Sequence, residues 1–175
     1  MVPRLQKPNR LIATLRPRKF LMPLSDLLAT KAIFPSLKAN SKKQAIQELS
    51  AKAAELTGRD EREIFETLLQ RERLGSTGVG NGVAIPHGKL PKLDKLVGLF
   101  ARLAKPIDFE ALDGEPVDLV FLLLAPEAAG ADHLKALAGI ARLLRDDKVA
   151  KKLRAARDVD AIYAMLTVPP ASHAA

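Results

Sequence analysis

Cysteine is absent from the 175 residues, and its absence excludes disulfides, thiol nucleophiles and cysteine-ligated metals together. Such a chain suits a reducing cytoplasm, and a cytoplasmic location is expected. No apolar run approaches the roughly 20 residues that a membrane-spanning helix requires, so no span is expected. Residues 1–22 hold neither a sufficiently long apolar stretch nor a small-residue cleavage site, which argues against a signal peptide. The glycine-rich stretch 75–82 lacks the Gly-Lys-Ser/Thr of a Walker loop. It also fails the dinucleotide pattern Gly-x-Gly-x-x-Gly, because Val83 follows Gly82. There is no Gly-x-Ser-x-Gly elbow for a serine hydrolase, and no histidine pair with zinc-ligand spacing. Neither a metal nor an organic cofactor is expected.

What remains is enough for one domain with a substantial core, since 47% of the residues are apolar. The formal net charge of +8 is unevenly spread. Six of the 28 basic residues (Arg4, Lys7, Arg10, Arg16, Arg18 and Lys19) lie within residues 1–22, which contain no acid. The other 22 face 20 acidic residues, so the body is nearly neutral. The basic arm lacks aromatic interleaving, and the body has no helix-turn-helix or RNA-binding motif, so nucleic acid is not an expected partner. Residues 1–22 read as a disordered basic extension, the alternative being a true start at Met22. Residues 168–175 read as a disordered tail, leaving 23–167 as the folded domain.

Periodicity and capping residues predict a helix over 41–57, with Asn40 or Ser41 as its cap, Ala45, Ile46, Leu49, Ala53 and Leu56 on one side and Gly58 closing it. Asp60 and Glu63 have capping-box-like spacing before a second helix reaching about Arg73, whose apolar face is Ile64, Phe65, Leu68 and Leu69. The four-glycine stretch 75–82 reads as a loop. Residues 83–85, 96–104 and 117–124 read as strands, the last an almost unbroken apolar run suited to burial on both faces. Asp113-Gly114 signals a turn. Residues 131–145 form a strong helix with Leu134, Leu137, Ile140, Ala141 and Leu144 as the predicted buried stripe. Shorter helices over 147–156 and 158–166 follow. The expected fold class is α/β, a mixed sheet covered by helices on both faces.

Three histidines are present. His173 lies in the tail and reads as inert. His87 follows a strand and a proline, with Gly88 and Gly82 offering backbone that another group can approach closely. His133 falls in the first turn of the 131–145 helix, beside the predicted apolar stripe, where free amides and the helix dipole favour an anion. That field also holds an imidazole neutral. Alone, each histidine has an ordinary reading as well, a polar surface residue for His87 and a cap for His133.

The run Arg71-Glu-Arg-Leu-Gly-Ser-Thr-Gly-Val-Gly-Asn-Gly-Val-Ala-Ile-Pro-His-Gly-Lys89 resembles the active-site segment of the mannitol/fructose-type IIA family of the phosphoenolpyruvate-dependent phosphotransferase system. It is most similar to the nitrogen-regulatory branch. The resemblance continues through Pro106-Ile-Asp-Phe109, Asp113-Gly-Glu-Pro-Val-Asp-Leu-Val-Phe-Leu-Leu123 and Asp132-His-Leu-Lys-Ala-Leu137, and covers residues 23–167. It implies a mannitol-type IIA fold and a phosphoryl carrier. It further implies that His87 is the phosphorylated residue, with His133 as a second active-site histidine and Arg71 as the arginine preceding the glycine loop. Gly75, Ser76, Thr77 and Gly88 are then candidate phosphate-binding residues, and Lys89 a rim charge.

Histidine suits the task. Neutral imidazole is a nucleophile near pH 7, and a phosphoryl group on its nitrogen keeps high transfer potential, whereas a serine ester would trap it. The implied partners are an HPr-like phosphocarrier as donor and regulatory targets such as transporters or kinases. A sugar-specific IIA component passing phosphate to a IIB domain is the alternative. No IIB- or IIC-like segment lies within the 175 residues, which tilts the expectation toward regulation.

Overall fold

A computed structural model describes residues 23–168. The expectations for the basic extension, the Met22 start, the tail beyond Val168 and His173 lie outside the described residues.

Eleven helices and strands are laid out in chain order, apart from single 3-10 turns: β1 (Ile33–Leu37), α1 (Lys42–Thr57), α2 (Glu61–Arg73), β2 (Gly78–Gly80), β3 (Val83–Ala84), β4 (His87–Leu90), β5 (Val97–Ile107), β6 (Val117–Pro126), α3 (Ala131–Leu144), α4 (Asp147–Ala155) and α5 (Val159–Thr167). The sheet runs β1-β5-β6-β3-β2, with β4 also paired to β6. Only β5–β6 and β2–β3 are antiparallel; β1–β5, β3–β6 and β4–β6 are parallel. The sheet is mixed, as expected. Every residue from Leu119 to Ala125 on β6 is buried, so both faces of the central strand are covered.

Local chemistry sets the helix starts. Ser41 caps α1 by accepting from Gln44 N–H, and Asp60 caps α2 by accepting from Glu63 N–H, each contributing about 0.5–2 kcal/mol. Gly58, at φ +69°, closes α1.

Three expectations are corrected. Residues 33–37 form a parallel edge strand that the sequence reading passed over, because Pro35 and Ser36 interrupt its alternation. The glycine loop contains strand β2. The buried stripe of α3 is His133, Ala136, Ile140 and Leu144, while Leu134 is 69% exposed. A helix with apolar residues on more than one side can dock through any of them, and the packing decides.

Gly98 marks how tightly β5 meets its neighbours. A Cβ there would lie 2.7 Å from Leu27 Cδ1 and 2.8 Å from Phe121 Cζ, and Phe121 is fully buried. Gly98→Ala is therefore expected to destabilise the fold by about 1–3 kcal/mol through overpacking, read as a lower urea midpoint at unchanged slope.

Candidate functional site

β3 and β4 form one line along β6 that Pro86 interrupts. Val83 pairs with Leu119, Ala84 with Val120 and His87 with Leu123, in unbroken register. Across the gap the Pro86 carbonyl accepts from Leu123 N–H at 3.0 Å. His87 therefore follows strand β3 and Pro86, as expected, and itself opens β4. Ile85, just before the proline, donates its N–H to the Thr77 carbonyl at 2.9 Å, and its own carbonyl lies 2.8 Å from His87 Nδ1. A carbonyl only accepts, so Nδ1 carries the ring proton and Nε2 keeps its lone pair.

Arg71, in the last turn of α2, donates from Nε to that nitrogen at 3.3 Å and from Nη1 to the Gly75 carbonyl at 2.9 Å. α2 lies this close to β4 because residue 88 is glycine. A Cβ there would fall 2.7 Å from Thr67 Cγ2.

His133 comes from the far side of the chain's order. Its ring centroid lies 5.6 Å from that of His87, at 69° between planes. It is only 7% exposed, and its Nε2 is buried without a hydrogen-bond partner, a costly state for a polar atom. The helix that carries it differs from the others. α1, α2, α4 and α5 are capped by the side chains of Ser41, Asp60, Asp146 and Asp158, whereas α3 starts at Gly130 with no side-chain cap. Its first-turn amides are left for an anion.

Both imidazoles are held below the ordinary histidine value of 6.5. For His87 burial is the main cause and the Arg71 cation adds to it, while the Ile85 carbonyl and the Glu72 carboxylate pull the other way. For His133 burial again leads, followed by the charges of His87 and Lys89. The neutral, nucleophilic form is thus favoured.

The same shifts bear on stability. Below pH 6.5 the unfolded chain takes up protons that the folded histidines refuse, so stability falls as pH drops through 6.5 toward the lowered folded values. Urea midpoints measured from about pH 7.5 down to about pH 5 are expected to decline. The decline should be shallower in the double variant His87→Gln/His133→Gln.

Other predicted site residues have different partners. Ser76 Oγ donates to the Phe109 carbonyl at 2.8 Å and accepts from Gly78 N–H at 3.1 Å. Thr77 is buried, and its hydroxyl donates to the Glu72 carboxylate. In this structure both hydroxyls are engaged within the protein and tie the loop down. The space on the Cβ side of Gly88 belongs to Thr67, and that of Gly82 to Arg154, whose Nη2 would meet a Cβ at 2.5 Å. Gly75 is exposed, with nothing near its missing side chain. Lys89 is exposed and two residues along the strand from His87, on the same side of β4, as a rim charge would be. Two leucines near these residues in sequence are exposed: Leu74, 85% exposed, precedes Gly75, and Leu134 follows His133. Among the described residues no three His, Cys, Asp or Glu side chains gather as metal ligands.

The sequence reading missed Glu72 and Lys42. The Glu72 side chain is 2% exposed and pairs with Lys42 Nζ at 2.7 Å. A signal existed for it. Ile64, Leu68 and Glu72 share one helical stripe, so a carboxylate sits where an apolar residue belongs. Lys42 and Lys43 likewise open α1 with no acid in its first turn, where the helix dipole makes a cation unfavourable by about 0.3–1 kcal/mol.

Comparison with known proteins places this geometry among relatives. A family model described as "Phosphoenolpyruvate-dependent sugar phosphotransferase system, EIIA 2" matches residues 26–168. A nitrogen regulatory protein of Bradyrhizobium diazoefficiens is 73% identical over 153 residues, spanning 87% of this chain and 100% of that relative. The crystal structure of nitrogen regulatory protein IIA-Ntr from Neisseria meningitidis matches with a TM-score of 0.79 and 34% identity, over 82% of this chain and 99% of that one. The crystal structure of IIA mannitol from Escherichia coli matches with a TM-score of 0.67 over 79% of this chain and 98% of that one; at 22% identity it bears on the fold alone. Among the described residues no helix is long and apolar enough to cross a membrane.

Proposed function

The chain belongs to the phosphoenolpyruvate-dependent sugar phosphotransferase system EIIA 2 family, and on that premise we propose that it carries its phosphoryl group on Nε2 of His87. One observation carries the choice of atom: Nδ1 is engaged by the Ile85 carbonyl at 2.8 Å, so the lone pair is on Nε2, toward which Arg71 points.

The donor is the phosphohistidine of an HPr-like carrier. The Nε2 lone pair attacks phosphorus as the donor's P–N bond breaks, and the donor nitrogen recovers the electron pair. The His87 ring gains positive charge as its own N–P bond forms, and the Ile85 carbonyl on Nδ1–H stabilises it. Charge on the phosphoryl oxygens is met by the Arg71 guanidinium, displaced from the lone pair it covers at rest. His133 Nε2, buried and unpartnered, is available to donate to the same oxygens, and the uncapped start of α3 adds its dipole.

Regulation is the role supported by the relative of 73% identity that bears the name nitrogen regulatory protein. Target proteins such as transporters or kinases would read whether His87 is phosphorylated. The test is transfer of labelled phosphate from phosphoenolpyruvate, through enzyme I and the HPr-like carrier, to this protein. An acid-labile, base-stable label is expected. A label stable in acid would rule out a phosphohistidine, and no label at all would remove the carrier reading.

A further inference from the structure

Glu72 is the one acidic side chain that the buried core of this fold encloses among its described residues. Its position is paid for twice, by desolvating a carboxylate and by placing Lys42 at the start of α1, where the helix field repels a cation. Lys42 sits 2.7 Å from Glu72, 3.7 Å from the Glu110 carboxylate and 5.2 Å from the centroid of the Phe109 ring. Local rules broken in two elements at once usually mark a site under another constraint.

Two chains of hydrogen bonds lead from Glu72 to His87. In the first, the carboxylate accepts from Thr77 N–H (3.2 and 3.3 Å to its two oxygens) and from the Thr77 hydroxyl. The Thr77 carbonyl then accepts from Ile85 N–H at 2.9 Å, and the Ile85 carbonyl takes His87 Nδ1–H at 2.8 Å. In the second, Gly75 lies in the short turn that this anchor closes, its N–H on the Glu72 backbone carbonyl at 3.1 Å. The Gly75 carbonyl accepts from Arg71 Nη1, and Arg71 Nε reaches His87 Nε2. One chain sets which ring nitrogen holds the proton; the other sets where the guanidinium stands.

We propose that Glu72, held in place by Lys42, is a positioning residue that fixes both the tautomer of His87 and the placement of Arg71. The carboxylate never meets the phosphoryl group. It acts through Thr77, as the second ring of partners around a metal-bound histidine acts through the histidine. This proposal rests on the reading that His87 accepts the phosphoryl group, but its geometric part is measurable without any transfer.

The test joins two measurements on the full chain. Ring ¹H–¹⁵N spectra of His87 report the tautomer, and single-turnover transfer from the phosphorylated HPr-like carrier reports the rate. The unaltered protein is expected to show the Nδ1–H tautomer alone. In Glu72→Gln, with amide signals outside residues 71–87 unchanged, the ring is expected to become a tautomer mixture. The rate at saturating donor should fall about 10- to 100-fold, with the half-saturating donor concentration unchanged, because the buried side chain does not touch the donor. A merely structural ion pair would lower the unfolding midpoint and leave tautomer and saturated rate alone; that result in a folded Glu72→Gln overturns the proposal. Should Glu72→Gln not fold, Thr77→Val weakens the anchor by removing the hydroxyl link while the Glu72–Thr77 N–H bonds and the ion pair stay; a smaller change in the same direction is expected, and an unchanged tautomer and rate there overturn the proposal. A tautomer that responds to Glu72→Gln in a protein that takes no label upholds the positioning role and removes the carrier reading instead.

Discussion

His87→Ala is expected to end phosphoryl acceptance altogether while leaving the fold nearly intact. The loss should be complete because the imidazole is the acceptor itself: without Nε2 there is no atom to form the N–P bond, and neither neighbour replaces it. Arg71 is a permanent cation without a lone pair. His133 is only 7% exposed, too little for an arriving donor to reach its ring. The fold should survive because His87 is half-buried at the start of a four-residue strand whose pairing to β6 is made by backbone groups. Label incorporation from the phosphorylated carrier checks the first part, and the urea midpoint the second. Label persisting in His87→Ala would move the site elsewhere.

Arg71→Ala and His133→Ala are expected to slow transfer without removing the acceptor. Each takes away one group aimed at the phosphoryl oxygens, and loss of a single such donor costs about 10²–10³ in rate in comparable sites. The two should differ in character. Arg71 holds the Gly75 carbonyl with Nη1 and faces His87 with Nε at the same time, a fork that lysine cannot copy, so Arg71→Lys should recover little. His133→Gln keeps a donor near the Nε2 position and should recover more than His133→Ala. Arg71→Ala also removes a charge that lowers the pKa of His87, so its pH–rate profile should shift upward as well as its rate falling. Because the groups act on one transition state, the double variant should lose less than the product of the two single losses. Single-turnover rates measure all three. Wild-type rates in both alanine variants would exclude this pair from the chemistry.

How far these expectations could be read before any fold was known differs from element to element. The helix starts were legible because caps are local. Ser41 reaches Gln44 N–H, and Asp60 reaches Glu63 N–H, within three residues. Strand β6 was legible because burial on both faces demands an unbroken apolar run, and Val117 to Ala125 has one but for Asp118. Strand β1 was not, since a short edge strand containing Pro35 draws its stability from pairing with β5 rather than from its own pattern. The site divides in the same way. Arg71 and His87 lie in one contiguous run whose residue types carry the family resemblance, so their membership in a site could be read directly.

By itself, then, the sequence determined the fold class, the capped helices and the placing of Arg71 and His87 in one motif, because each is written in spacing of a few residues or in one continuous run. Only the tertiary structure decided which face each residue shows. Packing on the sheet turned Leu134 outward and His133 inward to within 5.6 Å of His87. It also set the Ser76 and Thr77 hydroxyls on the Phe109 carbonyl and the Glu72 carboxylate. The proton on Nδ1 of His87 depends on a carbonyl two residues back, aimed by a proline break and by Thr77 from another strand's approach. The physical reason is common to all of these. Periodicity and caps arise from forces within one segment, whereas burial and hydrogen-bond partnership depend on which segment covers which, and that is settled only when the layers close.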